Sequence, residues 1–223
     1  MKIKSVLSDL QILEEIKNGN VIYHSPNNIP ITCGNCSVDV TLGSYYYTQN
    51  PSVKIINPWN PESVRKLWGS PKEALRVKDV ISSNLENSSA LNTELSKLNS
   101  DDRIIILKPG ENILAHTNEF IGGRNNITTM MKARSSVGRN FISVCNDAGW
   151  GDVGYINRWT MEISNSNNFP VILVVGERIA QIVFYYTGTV KNNYSGSYQN
   201  SSDFEKLVAS WSPDLLLPRL NRN

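Results

Sequence analysis

Apolar and polar residues alternate with a period of two along several stretches of the chain, the pattern of a strand with one face buried. Ser37-Val38-Asp39-Val40-Thr41-Leu42 alternates in this way and closes at Gly43, and the run Tyr45-Tyr46-Tyr47 extends the β-type composition. Trp159-Thr160-Met161-Glu162-Ile163-Ser164 repeats the pattern. It puts Trp159, Met161 and Ile163 on one face and Thr160, Glu162 and Ser164 on the other. Ile104 to Leu107, the turn Lys108-Pro109-Gly110-Glu111 and Asn112 to Ala115 read as strand, turn, strand. Val171 to Val175 and Ile179 to Tyr186 flank the turn Gly176-Glu177 and are apolar on both faces, which predicts two central strands. Val21 to Tyr23 reads as a short strand, followed by a turn at Asn27-Asn28-Ile29-Pro30.

Helical patterns are fewer. Residues 8–18 carry a capping box, Ser8 with Gln11, and end at Gly19; Leu10, Leu13 and Ile16 are expected to share the buried face. Residues 57–101 read as a helical and loop insertion. Pro61-Glu62-Ser63 and Pro71-Lys72-Glu73 both look like helix starts. Leu75, Val77, Val80, Ile81 and Leu85 follow with partly helical spacing, and the stretch from Ser82 to Asp102 is rich in Ser and Asn. Residues 191–223 are polar as far as Phe204 and form a candidate mobile C-terminal arm. Short strands joined by Gly and Pro turns predict a mainly β fold, a barrel or double sheet in one domain over 1–223.

Composition narrows the function classes. With 40% hydrophobic and 19% charged residues, the 223-residue chain is neither disordered nor collagen-like. Its 22 basic and 20 acidic residues leave a net charge of +2, so no bulk nucleic-acid binding is expected. No apolar run is long enough for a membrane span, and the start MKIKSVLSDL lacks the apolar core of a signal peptide. The expected compartment is cytoplasmic. Cys33-Gly34-Asn35-Cys36 is a lone CxxC, weak as a zinc signal, and Cys145 stands apart. His24 and His116 are the only histidines, and neither sits in a hydrolase or zinc-deaminase motif.

Three clusters carry candidate chemistry. Lys132-Ala133-Arg134-Ser135-Ser136-Val137-Gly138-Arg139 gathers three cations and two hydroxyls, a set that suits phosphate oxygens; a solvated turn has the same composition. Asn146 to Tyr155 is dense in Gly and Asp and makes a tight loop with backbone groups free to read a ligand, or a plain turn. Glu162 lies on the polar face of its strand, where a solvent-facing role is the simple alternative.

Taken in order, these segments resemble the trimeric dCTP deaminases of the dUTPase-like superfamily. The resemblance is carried by Asn35 to Gly43, Leu107 to Glu111, Arg134 to Arg139, Ala148 to Tyr155, Met161 to Asn165 and Gly176 to Phe184. It implies a distorted jelly-roll or β-barrel and zinc-independent hydrolytic deamination of dCTP to dUTP and ammonia, which feeds thymidylate synthesis. By the same resemblance Glu162 is the general base, and Arg139 and Ser135 order the attacking water. Arg134, Ser135 and Ser136 hold the triphosphate, with Mg²⁺ chelated by the phosphates themselves. Asp152 binds the deoxyribose hydroxyl and Ala148 reads the cytosine edge. Thr160, Met161, Gln181 and Tyr194 complete the pocket. The family is homotrimeric with sites between subunits, closed by the C-terminal arm.

The chain departs from the family pattern in places. The tail reads Tyr194-Ser195-Gly196-Ser197-Tyr198-Gln199-Asn200-Ser201, with Ser197 and Ser201 where a lysine and a glutamine are usual; Lys191 and Lys206 are candidates to replace the lost cation. Asp147 replaces a threonine beside the base, Gly151 a bulky apolar residue, and Val153 a proline or alanine. Abundant asparagine is compatible with an AT-rich, viral-type genome. Two alternatives stand beside dCTP deamination: a dUTPase or bifunctional enzyme that makes dUMP directly, and a non-catalytic, nucleotide-binding regulatory protein.

Overall fold

The computed structural model describes residues 5–26, 28–83 and 88–220. The readings placed on Asn27, Leu85 and the first four residues lie outside the described residues. In chain order the elements are α1 (Asp9–Lys17), β1 (Val21–His24), β2 (Val38–Thr48), α2 (Pro61–Trp68), β3 (Lys72–Glu73), β4 (Leu75–Arg76), α3 (Val77–Ser83) and α4 (Ser89–Leu95). They continue with β5 (Arg103–Leu107), β6 (Asn112–Gly123), β7 (Ile127–Ala133), α5 (Ser135–Gly138), β8 (Ile142–Ser143), β9 (Trp150–Gly151) and β10 (Ile156–Asn165). Last come β11 (Val171–Val174), β12 (Arg178–Tyr186), α6 (Phe204–Ser210) and the 3-10 turn Pro213–Leu216.

The architecture is mainly β, as expected. A nine-stranded antiparallel sheet runs β8-β10-β6-β2-β12-β7-β9, with β1 on β6 and β3 on β2. A three-stranded sheet, β11-β5-β4, stands beside it. β2 holds the large sheet together: Val38 to Thr41 pair with β12, and Leu42 to Thr48 with β6 across a bulge. The bend occurs at Gly43, where an added Cβ would lie 2.0 Å from the His116 ring. Only glycine lets that imidazole pack against the strand.

One continuous core fills the sheet interior, with Val38, Val40 and Leu42 of β2, Met161 and Ile163 of β10, and Ile182 and Phe184 of β12 all at most 1% exposed. Each such side chain contributes about 1.5–3 kcal/mol by leaving water. A polar knot is buried among them. Glu119 on β6 accepts from the Thr41 amide (2.9 Å) and the Thr41 hydroxyl (2.7 Å). Burial pushes its carboxyl up, and the Thr41 contacts pull it partly back. This is why Thr41, a polar position of the alternating pattern, lies inside.

Tertiary contacts override local pattern elsewhere. The capping box of α1 forms as predicted, but Ile12 is its buried residue, with Ile16 beside the core; Leu10 and Leu13 are exposed. Pro61 does begin a helix, capped by Asn60. The second proline start does not: residues 72–73 pair with Tyr45 and Tyr46 as β3, and the helix waits until Val77. The turn at Lys108–Glu111 joins two different sheets, since β5 pairs with β4 and β11 while β6 pairs with β1, β2 and β10. Likewise β12 is central, between β2 and β7, but β11 is an edge strand on β5 alone.

The C-terminal segment packs back on the sheet. The Tyr194 amide donates to the Val153 carbonyl (2.8 Å), and Gln199 Oε1 accepts from the Ile156 amide (2.8 Å). Leu207, Leu215 and Leu216 are buried, and Trp211 stacks over the Arg158 guanidinium at 4.4 Å. The Tyr47 hydroxyl donates to Asp214 (2.9 Å), so the end of the segment is tied to β2.

Candidate active site

β10 sets the geometry. Its alternation sends Trp159, Met161 and Ile163 into the core and leaves Thr160, Glu162 and Ser164 half-buried on the opposite face, as the pattern predicts. The loop from Cys145 to Asp152 lies along that polar face. Asn146 donates to the Ser164 hydroxyl (3.3 Å), which donates in turn to Asn112 (2.6 Å). The Asp147 amide points at Glu162 Oε2 (3.5 Å). The neighbouring Cys145 thiol is pushed up to about 11, first by burial and then by the Glu162 carboxylate. Two glycines permit this close approach. A Cβ at Gly149 would lie 2.8 Å from the Met131 carbonyl, and one at Gly151 would lie 2.3 Å from the Thr129 hydroxyl and 2.5 Å from the Trp159 ring. Trp159 thus occupies the space that a bulky residue at 151 would need.

Above this loop opens a cleft of about 430 Å³, within the size range of small-molecule sites. Its polar wall consists of Thr160, Glu162 and Asp152, with Ala148 and Trp150 from the loop. The C-terminal segment closes the other side with Tyr194, Tyr198, Leu216 and Pro218. Tyr155 lies between the two, its ring edge-on to Tyr194 (5.0 Å) and to Trp159 (5.3 Å). Burial raises the Tyr194 hydroxyl, which keeps it a neutral hydrogen-bond donor.

Five residues singled out from the sequence therefore meet in one cleft: Ala148, Asp152, Thr160, Glu162 and Tyr194. The others lie elsewhere in the chain. Met161 is fully buried in the core, so its side chain does not reach the cleft. Gln181 sits on β12 and accepts from the Ser37 hydroxyl (3.2 Å). Ser135, Ser136 and Arg139 are exposed on and just after the single turn α5. Arg134 precedes that turn, and its guanidinium is gripped by Asp39. Arg178 reaches the same carboxylate oxygen of Asp39 at 3.0 Å. Asp147 is exposed and does not line the cleft.

The two-arginine clasp on Asp39 was not foreseen. Its signal is the Asp39 position on a strand whose neighbours, Gln181 and Ala180, lead to Arg178 and Arg134 in register. The lining roles of Tyr198, Leu216 and Pro218 also escape sequence reasoning, because they depend on how the tail folds back. Among the described residues no group of three or more His, Cys, Asp or Glu side chains is gathered for a metal ion. No described helix is long and apolar enough to cross a membrane.

Comparison with known proteins places these features in context. A family model described as dCTP deaminase-like matches residues 6–187. The curated "dCTP deaminase, dUMP-forming" of Methanosphaerula palustris is 27% identical over 190 residues, covering 85% of this chain and 86% of that protein. The protein of the same name from Methanospirillum hungatei is 29% identical over 182 residues, covering 82% of each. Among solved structures, the fold is similar to that of 2′-deoxycytidine 5′-triphosphate deaminase from Agrobacterium tumefaciens, with a TM-score of 0.53 and 17% identity. That match covers 84% of this chain and 48% of the other, so this chain spans about half the length of that structure.

Proposed function

The chain belongs to the dCTP deaminase-like family, and on that premise we propose that it hydrolyses the 4-amino group of dCTP with Glu162 as general base. The observation that carries this reading is the convergence of Glu162, Thr160, Asp152, the Ala148 loop and Tyr194 on one cleft. In the reaction, Glu162 takes a proton from water as the oxygen bonds to cytosine C4. The same carboxyl passes that proton to ring N3 and then carries the remaining hydroxyl proton to the amino nitrogen of the tetrahedral centre. The C–N bond breaks, ammonia leaves, and a C4 carbonyl forms. Such acid-base work requires a carboxylate held at hydrogen-bond reach of these atoms, and the Asp147 amide helps to hold this one. Asp152 is the acceptor for the sugar hydroxyl. Backbone groups at Ala148 read the base, and Met161 contributes through its backbone, its side chain being in the core.

Arg134, Ser135, Ser136 and Arg139 line no part of the cleft that holds Glu162. We assign them to the cleft of a neighbouring copy, which makes the site shared and the enzyme a homotrimer. Asp39 then orients the Arg134 fork, and with Arg178 on the same carboxylate oxygen the trio keeps a net positive charge for phosphate. Magnesium enters with the substrate, chelated by its phosphates; among the described residues the cleft's own carboxylates are two, Asp152 and Glu162. The deamination is assigned to Glu162 without zinc.

The names of the curated relatives shift the expected product. They are dUMP-forming, which favours a second hydrolysis at the α-phosphate that yields dUMP and pyrophosphate in place of dUTP as end product. The test is Glu162→Gln. It should retain dCTP binding and lose ammonia release by about 10²-fold or more. Near-normal turnover in that variant would refute the assignment.

A further inference from the structure

The cleft has a charge problem. Among the described residues its lining includes the carboxylates of Asp152 and Glu162 and no lysine or arginine, while a nucleoside triphosphate is strongly anionic. Arg134 and Arg139 reach this cleft only from a neighbouring copy in the reading above, and Arg134 shares the Asp39 carboxylate with Arg178. The C-terminal segment brings a different cation to the rim. Pro218 lines the cleft and also borders an adjoining groove of about 310 Å³, which Ser197 and Arg219 line. The Arg219 amide donates to the hydroxyl oxygen of Tyr198, itself a cleft residue, at 3.1 Å. Its guanidinium donates to the carbonyls of Ser197 (2.9 Å) and Asp214 (3.3 Å). These are neutral acceptors, and among the described residues Arg219 takes part in no ion pair. Among the described residues its charge is therefore unpaired, and its Nε–H and remaining Nη–H groups have no acceptor. The Tyr47–Asp214 bond ties down the segment that carries it.

We propose that Arg219 is a phosphate-binding residue of this site, reached by the substrate's phosphates along the groove that leaves the cleft at Pro218. The inference rests on the nucleotide reading of the cleft. A fixed guanidinium whose two carbonyl bonds set its plane presents its remaining donors to phosphate oxygens at little ordering cost. A purely structural Arg219 would serve only to dock the tail, and the two roles differ in how they depend on phosphate number.

Calorimetric titration of the full chain with magnesium separates them, on a Glu162→Gln background so that the ligand is not consumed. Adding Arg219→Gln should weaken dCTP binding about tenfold to a hundredfold, the range for a lost charge-assisted hydrogen bond. It should leave dCMP binding within about threefold, and Arg219→Lys should recover part of the dCTP affinity. Unchanged dCTP affinity would overturn the proposal, and so would an equal loss for dCTP and dCMP, which assigns Arg219 to tail docking. A Glu162→Gln parent that binds neither nucleotide would overturn the nucleotide reading, and this inference with it.

Discussion

Acid should destabilise this protein through one buried ring. His116 is fully buried, and its ring lies against Trp211 (4.7 Å) and Tyr45 (6.2 Å), beside the bend at Gly43. Nε2 accepts from the Tyr45 amide at 3.2 Å, so Nδ1 carries the proton and donates to the Thr117 carbonyl at 2.8 Å. A second proton has no acceptor there and would face the Arg158 cation. Burial, and to a lesser degree Arg158, hold the ring down to about 4, from 6.5. The unfolded chain thus binds the proton first. The neutral ring's stability is fully present above about pH 6.5 and is lost as the pH falls towards about 4. Linkage over that window amounts to about 2 kcal/mol between pH 7 and 5, and about 3 kcal/mol in full. Glu119, raised by burial, works in the opposite direction, since its protonation favours the folded state as acid is added. His116→Gln isolates the ring: the amide keeps an acceptor for Tyr45 and a donor for Thr117, does not titrate, and leaves Glu119 in place. Urea unfolding at fixed protein concentration, followed by tryptophan fluorescence, should show the wild-type midpoint falling roughly 1 M further than the variant's from pH 7 to 5, at an m-value of about 2 kcal/mol/M. An equal fall in both proteins would refute the reasoning.

Two further outcomes follow from the site. Because Asp147 is exposed and offers the cleft only its backbone, Asp147→Thr should leave dCTP/dUTP selectivity within about threefold in nucleotide titrations; a larger change, on the order of one buried hydrogen bond, would put its side chain on the base. If the cleft and the Arg134 cluster complete one site from two copies, sedimentation should find a trimer, and a stable monomer that is active on its own would contradict the shared arrangement.

How much of this was readable in the sequence depends on the range of the interactions involved. The β10 alternation is local, so the outward position of Glu162 was visible in six residues, and the Ser8–Gln11 cap likewise. The inward turn of Ile12 in place of Leu10 and Leu13 was not, since all three suit a helix face and only the sheet beneath α1 selects among them. Pro71-Lys72-Glu73 has the composition of a helix start, yet pairing with Tyr45 and Tyr46 outweighs that weak local preference. β7 went unrecognised because Ile127-Thr-Thr-Met-Met lacks clean alternation; Thr128 and Thr129 are both buried, their hydroxyls donating to the Gly151 carbonyl at 2.7 and 3.2 Å. In the site, the polar composition of the Arg134 cluster marked it, but not its distance from Glu162's cleft or its clasp on Asp39. The polar tail from Lys191 reads as mobile, whereas its aromatic and aliphatic residues dock it: Tyr194 on Tyr155, Trp211 on Arg158, and Leu215 and Leu216 in the interior.

The central claim, that this cleft removes the amino group of dCTP, is tested most directly by incubating the wild-type protein with dCTP and magnesium and measuring ammonia and nucleotide products together. The account predicts one ammonia for each dCTP consumed, with dUMP and pyrophosphate accumulating; dCTP recovered intact, or nucleotide hydrolysed with no ammonia released, would contradict it.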